Sequence, residues 1–556
     1  MDLLHKRHSR RHPRRQPGNK LPSFASQTES NAARLAAAAR HLSVKAYQDA
    51  HRECLEVLKS DPGNAEAFYL LGILTADHAN FAKADELFAR AVSLDAKHAG
   101  ARAQRARCLL ALSRRTEAVE TVREAAKLAP SDAFTLDTIG VVLSRAGLHS
   151  EALPFYGRAA AANPENADHH YNHAAALQFA GEMDAAREAY RRCAEADPTD
   201  TRGIPAIVQI TKQTADANEI ATLERMYAQH SGDADALLRA GHALAKTYED
   251  LKQPAEALDW LGRAKVLKRT QIRHDPSVDA ALFDAAMRTA DMLLERTGSA
   301  LGAPIFICGM PRTGTTLVDR ILSSHSAVTS GGELTDFALC LKRLAKTPSN
   351  LVLDPETLGA VSRIDLTALG EAYMHSVRTS LGLSGRLTDK MPLNILLAPV
   401  ILAALPEARV ICLRRHPADT VLSNYRQMFA TSFSYYNYAY TLEDTARYYV
   451  GFDRMVRHFE AALPERFMVV HYEKVVTEIE PQTRRMLDFC GLPFEEQCLA
   501  FHETAAPVAP ASSAQVREPL YTSALARWKR YEAGLSPALD ILEAAGCLDP
   551  AERTRA

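Results

Sequence analysis

The chain has 556 residues, of which 47% are hydrophobic and 24% charged, and its formal net charge is -1. That length allows two to four domains, and the near-neutral balance excludes any global charge signature of nucleic-acid or membrane binding. Aromatic residues are sparse at 7% and alanine is frequent, a composition that leans helical. Nine cysteines stand singly, with no C-x-x-C pair, so they read as reduced thiols of a cytoplasmic protein. No apolar stretch approaches the ~18–20 residues of a membrane span.

Residues 1–29 open with MDLLHKRHSRRHPRRQPGNK, which is basic but lacks the apolar segment of a secretion signal, and are expected to form a disordered tail. From about residue 30 to about 270 a repeat takes over. Pro62, Ala96, Pro130, Pro164 and Pro198 stand 34 residues apart at every step. Small residues lie 24 positions before each of them: Ala38, Gly72, Ala106, Gly140 and Ala174. Twelve before, the residue is always alanine: Ala50, Ala84, Ala118, Ala152 and Ala186. Helices pack closely only where small side chains meet, bulky residues such as Phe88, Tyr156 and Tyr190 fill the next gap, and proline stops the second helix. This pattern resembles the tetratricopeptide (TPR) repeat and predicts an α-solenoid. The register slips over 199–236 and returns with Ala245, Ala257 and Ala264. His169, His170 and His173 share a repeat helix, with no carboxylate or cysteine to complete a metal site, and no metal is expected.

Residues 271–300 read as a helical linker, and 301–540 change grammar; 541–556 are a tail. Apolar runs alternate with helical patterns: PIFICG, ARVICLRR and RFMVVHYE. Alternation of this kind predicts an α/β domain with a parallel central sheet, which binds ligands at the carboxyl ends of its strands. The first run leads into GMPRTGTTL, a strand, tight loop and helix in the manner of a phosphate-binding loop. The loop is shorter than G-x-x-x-x-G-K-[ST], and no lysine precedes Thr315 and Thr316.

Together these runs resemble the sulfotransferases that use 3'-phosphoadenosine 5'-phosphosulfate (PAPS). The nearest pattern is that of tyrosylprotein sulfotransferases and of bacterial proteins in which TPRs precede such a domain. PAPS brings no β/γ-phosphate pair and no Mg²⁺, which accounts for the missing lysine. The resemblance implies that Arg312, Thr313, Gly314, Thr315 and Thr316 hold the 5'-phosphosulfate, using the helix N-terminus and a guanidinium fork. Arg415 and Ser423, eight residues apart in RHPADTVLS, match the family's 3'-phosphate motif. A third family arginine falls at Gln427, beside which Arg426 is the candidate replacement. Tyr472 is nominated for adenine or phosphate contact. Ser512 and Arg527, and more weakly Arg517, come from the segment expected to fold over the nucleotide.

For catalysis the resemblance implies Glu333, 21 residues after Arg312 in SGGELTDF, as base. Lys390 in LTDKMPLN would neutralise the leaving oxygen, and Arg312 would act on the sulfuryl group. The tyrosine-dense FSYYNYAYTLEDTARYY has two readings, packing against the sheet or lining an acceptor cleft. The expected product is 3'-phosphoadenosine 5'-phosphate (PAP), and the expected acceptor a protein or peptide tyrosine, with the concave TPR face as the partner surface. No nucleic-acid partner is expected, and the oligomeric state is not legible. Two alternatives stand: a P-loop kinase or NTPase, and a TPR scaffold with an inactive sulfotransferase-like domain.

Overall fold

A computed structural model of the chain describes residues 24–112, 114–293, 296–381, 385–431, 433–503 and 525–553. The described residues up to Val142 form one compact unit and those from Leu143 onward another.

The first unit is helical. Its helices are α1 (Phe24–Ser43), α2 (Tyr47–Ser60), α3 (Ala65–Asp77), α4 (Phe81–Leu94), α5 (Ala99–Ala111), α6 (Arg115–Lys127) and most of α7 (Ala133–Arg145). They pack as consecutive pairs, α1 on α2, α3 on α4 and α5 on α6. The in-register alanines Ala38, Ala50, Ala84, Ala106 and Ala118 are completely buried. At Gly72 a Cβ would come within 2.5 Å of the Phe88 ring, so the small residue is what lets the large one in.

The second unit continues with α8 (His149–Ala162), α9 (Ala167–Ala180) and α10 (Met183–Ala196). The region where the register slips folds as two short helices, α11 (Gly203–Ile210) and α12 (Ile220–Gln229). The pattern returns in α13 (Ala234–Asp250) and α14 (Pro254–Ile272), where a Cβ at Gly241 would meet Ala264 Cβ at 2.4 Å. The stretch read as a linker contains α15 (Pro276–Leu293). Its face of Leu282, Phe283, Ala286, Ala290 and Leu293 joins the core of the α/β domain, with Phe283 edge-on to Tyr448 at 4.9 Å.

That domain runs β1 (Ile305–Gly309), α16 (Thr315–Ser323), β2 (Val328–Ser330), α17 (Asp336–Ala345), α18 (Pro355–Gly359), α19 (Leu366–Leu381) and β3 (Arg386–Asp389). It continues through α20 (Ala398–Ala404), β4 (Arg409–Arg414), α21 (Pro417–Tyr425), α22 (Leu442–Ala462), β5 (Phe467–His471), α23 (Tyr472–Thr477) and α24 (Ile479–Phe489), with α25 (Glu532–Ala544) after them. The five strands form one parallel sheet in the order β2-β3-β1-β4-β5. Strand side chains alternate between faces. Phe306, Cys308, Val410, Cys412 and Phe467 fill one core, while Ile305, Ile307, Ile411, Leu413 and Val470 fill the other. Apolar burial on both faces is what makes β1 and β4 readable as continuous apolar runs. All nine cysteine thiols are free. Among the described residues no helix is long and apolar enough to cross a membrane.

Candidate active site

Because the strands are parallel, their carboxyl ends share one edge of the sheet, and each delivers a polar residue there. Gly309 closes β1 and leads into the loop 310–314, after which Thr315 and Thr316 open α16. Arg312 has φ +66 and Gly314 φ +102, so the loop turns through the left-handed region twice. At Gly314 a Cβ would lie 2.5 Å from Tyr472 Cδ2, so only glycine lets that ring close on the loop. Thr313 is fully buried and its hydroxyl donates to Met310 O at 2.7 Å, which staples the loop to itself. From α21, Asn424 Nδ2 donates to Pro311 O at 2.9 Å, and Tyr438 OH in turn donates to Asn424 Oδ1 at 2.9 Å. Sequence reasoning missed Asn424: its contact spans 113 residues and leaves no local pattern.

On one flank of the loop, β4 ends in two arginines with different work. Arg414 pairs with Asp453 of α22. Arg415 instead turns to the loop, with Nη1 3.4 Å from Arg312 O, and its guanidinium stands 5.0 Å over the Tyr472 ring. Its Nη2 lies 3.8 Å from Asp419 Oδ2. Burial pushes the Asp419 carboxyl up while Arg415 pulls it down. Glu473 accepts from His416 N at 2.9 Å, which ties the end of β5 to the start of α21. Ser423 lies half-buried on α21.

On the other flank, the turn after β2 carries Glu333 and the end of β3 carries Lys390. The two are stitched together by backbone: Gly331 N donates to Thr388 O and Lys390 N to Gly332 O, both at 2.8 Å. Lys390 Nζ then donates to Glu333 Oε1 at 2.5 Å; the lysine side chain is 6% exposed and the glutamate 50%. Behind them, the buried Asp319 of α16 accepts from Thr388 Oγ1 at 2.5 Å and from Ser330 Oγ at 2.9 Å. Burial raises the Asp319 carboxyl against those hydroxyls and Lys390. Asp389, fully buried beside Lys390, is pushed up to about 8 by desolvation, and Tyr373 OH donates to its Oδ2 at 3.0 Å. Asp319 is a second residue that sequence reasoning did not single out.

Part of the tyrosine-dense segment packs in the core, the first of its two readings. Tyr438 and Tyr448 stack at 3.7 Å in the core. Tyr436 stacks on Phe429 at 4.4 Å with Phe433 at 5.4 Å; burial, then the Glu333 charge, raise its phenol.

The structure thus brings Arg312, Thr313, Gly314, Thr315, Thr316, Glu333, Lys390, Arg415 and Tyr472 to one sheet edge. Arg426 and Arg527 meet on Glu249 of α13. Ser512 and Arg517 lie outside the described residues. Among the described residues no group of three or more His, Cys, Asp or Glu side chains could hold a metal ion. His170 Nε2 is bonded to the Pro164 carbonyl at 2.8 Å.

A profile described as "Sulfotransferase family" matches residues 304–496, the segment that carries all five strands. Residues 304–496 are similar to that family. A tetratricopeptide-repeat profile matches 167–200, so the chain joins TPR repeats to a C-terminal sulfotransferase domain. An uncharacterized protein of Aquifex aeolicus is 29% identical over 375 residues, 66% of this chain and 49% of that one. The protein-tyrosine sulfotransferase of Drosophila melanogaster is 25% identical over 260 residues, 43% of this chain and 51% of that one. A putative protein-tyrosine sulfotransferase of Caenorhabditis briggsae is 25% identical over 233 residues, 40% of this chain and 80% of that one. The domain is distantly related to those enzymes, and the chain spans about half the length of the Aquifex and Drosophila relatives. Among solved structures, the sulfotransferase domain from the curacin biosynthetic pathway aligns with a TM-score of 0.32 and 18% identity, covering 45% of this chain and 100% of that one. The TPR protein YrrB aligns with a TM-score of 0.25 and 18% identity, covering 38% of this chain and 90% of that one.

Proposed function

We propose that the sulfotransferase domain transfers a sulfuryl group from PAPS to a hydroxyl acceptor, most specifically a protein or peptide tyrosine, with Glu333 as base. One observation carries the reading: Glu333 and Lys390 face each other at 2.5 Å on neighbouring strand ends beside the phosphate loop. PAPS supplies the activated sulfuryl group and an anionic leaving group. The residues at the sheet edge fit such a donor. The N-terminus of α16 offers backbone N–H groups to an oxyanion, the Gly314 notch seats Tyr472 against the loop, and Arg415 brings positive charge to the same loop. β4 ends in arginines rather than in a carboxylate that would hold Mg²⁺ for a nucleoside triphosphate.

Glu333, half in solvent, removes the proton of the acceptor hydroxyl as that oxygen becomes a nucleophile. Lys390, almost buried, releases Glu333 and places its ammonium where charge grows on the leaving oxygen. Arg312 acts on the sulfuryl oxygens. Asp319 and the backbone stitches hold base and lysine in register, so little reorganisation accompanies reaction. The aromatic group of Phe429, Phe433 and Tyr436, whose Tyr436 phenol feels the Glu333 charge, suits an aromatic acceptor, and the relatives named protein-tyrosine sulfotransferases support the same choice. The helical repeats recruit the macromolecule that carries it. Nine unpaired cysteines suit a reducing compartment.

The test has two parts. In thermal-shift and calorimetric titrations PAP binds and stabilises the protein while ATP and GTP do not. Glu333→Gln then lowers turnover by roughly 10²–10⁴-fold, the range for a positioned base, and leaves PAP affinity unchanged. Stabilisation by ATP or GTP instead of PAP selects a kinase or NTPase. Near-normal turnover in the variant removes Glu333 as the base.

A further inference from the structure

Glu249 lies in the last turn of α13, outside the segment matched to the sulfotransferase family, yet its side chain is 9% exposed. Its carboxylate is where three groups of the C-terminal half meet. Arg426, the residue after α21, grips it as a fork, Nε on Oε1 and Nη2 on Oε2. Arg527 Nη2 donates to Oε2 at 3.2 Å, and Tyr531 OH donates to Oε1 at 2.6 Å.

These partners are not remote from the donor loop. Arg527 and Tyr531 are the two ends of one 3₁₀ turn, Arg527–Tyr531. Inside it, Trp528 N donates to Asp419 Oδ1 at 2.9 Å, and the indole lies parallel to His416 with ring centroids 5.5 Å apart. Asp419 is the residue paired with Arg415, whose Nη1 reaches Arg312 O. A continuous run of contacts therefore joins α13 to the phosphate loop. Arg426, at the other corner, follows the helix that carries Ser423.

Among the described residues that meet on Glu249, positive charge exceeds negative. Two guanidinium groups share one carboxylate. Arg527 gives that carboxylate only one of the five N–H donors a guanidinium carries. Burial and the neighbouring Arg426 also hold the Arg527 guanidinium below its usual value. A partly buried arginine pair with an excess positive charge is suited to a second oxyanion, which it can bind through paired N–H groups.

We propose that Glu249 is a positioning residue for donor binding: from the helical-repeat side it fixes Arg426 and Arg527 where they receive the donor's 3'-phosphate. The inference rests on the PAPS reading above. It makes donor affinity depend on a side chain outside the family domain, one that never touches the donor. Without the carboxylate, two like charges are left facing each other, and the arginines turn to solvent before the phosphate arrives.

The experiment uses the full-length protein and two nucleotides, PAP and adenosine 5'-monophosphate (AMP), which lacks the 3'-phosphate. Glu249→Gln keeps the volume and removes the charge. Its Kd for PAP is expected to rise about tenfold, as befits charge-assisted contacts, while its Kd for AMP stays within about twofold. Tyr531→Phe, a gentler change that frees one side of the carboxylate, shifts PAP affinity in the same direction by a smaller factor and again spares AMP. It decides the question if Glu249→Gln folds poorly. Equal losses for both nucleotides would reduce Glu249 to a structural role, and unchanged or tighter PAP binding would overturn the proposal. A wild-type protein that binds PAP no better than AMP would overturn the PAPS reading itself, which separates the two failures.

Discussion

Replacing Gly314 with alanine attacks the loop between β1 and α16 where Tyr472 closes on it, and the structure sets the size of the effect. The residue has φ +102, which costs an L-residue about 1–2 kcal/mol. The new Cβ would also sit 2.5 Å from Tyr472 Cδ2 and 3.2 Å from Cε2, well inside ordinary contact. Overpacking of that kind costs about 1–3 kcal/mol. The sum is roughly 2–5 kcal/mol, in two separable parts. The Tyr472 ring lies under the Arg415 guanidinium, so pushing it aside also disturbs that arginine. Urea unfolding followed by tryptophan fluorescence reads the effect, because both tryptophans, Trp260 and Trp528, lie in the unit that contains the site. In a Tyr472→Ala background the same substitution should cost only the backbone part, leaving a coupling of about 1–3 kcal/mol. Equal costs in the two backgrounds, or none in either, would refute the steric argument.

Other outcomes follow from the contacts between the helices and the domain. Lys265 of α14 is buried, donating to the Tyr425 carbonyl and to Ala439 O at 2.6 Å, and desolvation brings it down from 10.5 to about 7. A neutral amine has two N–H groups for those two carbonyls. Between the folded and unfolded values the unfolded chain holds a proton that the folded chain lacks. Stability should therefore climb by about 1 kcal/mol per pH unit between pH 7.5 and 9, and be lost again as the pH falls toward 7. Lys265→Met should flatten that slope in denaturant titrations at several pH values; an identical slope in the variant would contradict the assignment. Deleting residues 1–128 should leave PAP affinity intact and abolish transfer to the physiological acceptor, measured with labelled donor; equal transfer by both monodisperse proteins would rule out recruitment by the repeats that the deletion removes.

The parts of this molecule that the sequence announces are those with a local period. Small residues 34 apart define the helical pairs because each must sit under a bulky neighbour, as Gly72 does under Phe88. β1, β4 and β5 are legible because both faces of the sheet are buried. β2 and β3 are not: at three and four residues, VTS and RLTD, they hold no apolar run, and only the flanking Glu333 and Lys390 mark them. The partners that hold the site are harder still. Asn424 acts on Pro311 across 113 residues and Glu249 on Arg527 across 278, distances at which no spacing survives. Arg426 is the sequence's candidate for a missing phosphate arginine, and nothing near it in the chain hints that its fork is held by a carboxylate from α13.

The strand order has a consequence for how such a protein can change. β1, with its loop, stands in the middle of the sheet. On the proposed assignment the base and lysine hang from β2 and β3 on one side, while Arg415 and Tyr472 hang from β4 and β5 on the other. The contacts around the first pair run through Asp319 and Thr388, and those around the second through Asp419, ion-paired with Arg415, and Glu473 beside Tyr472. No residue in one set serves the other. On that assignment, a lineage with this sheet can alter the turn after β2, which meets the acceptor, while Arg415 and Tyr472 stay in place on the far side, so that a new substrate need not disturb that half of the nucleotide's seat.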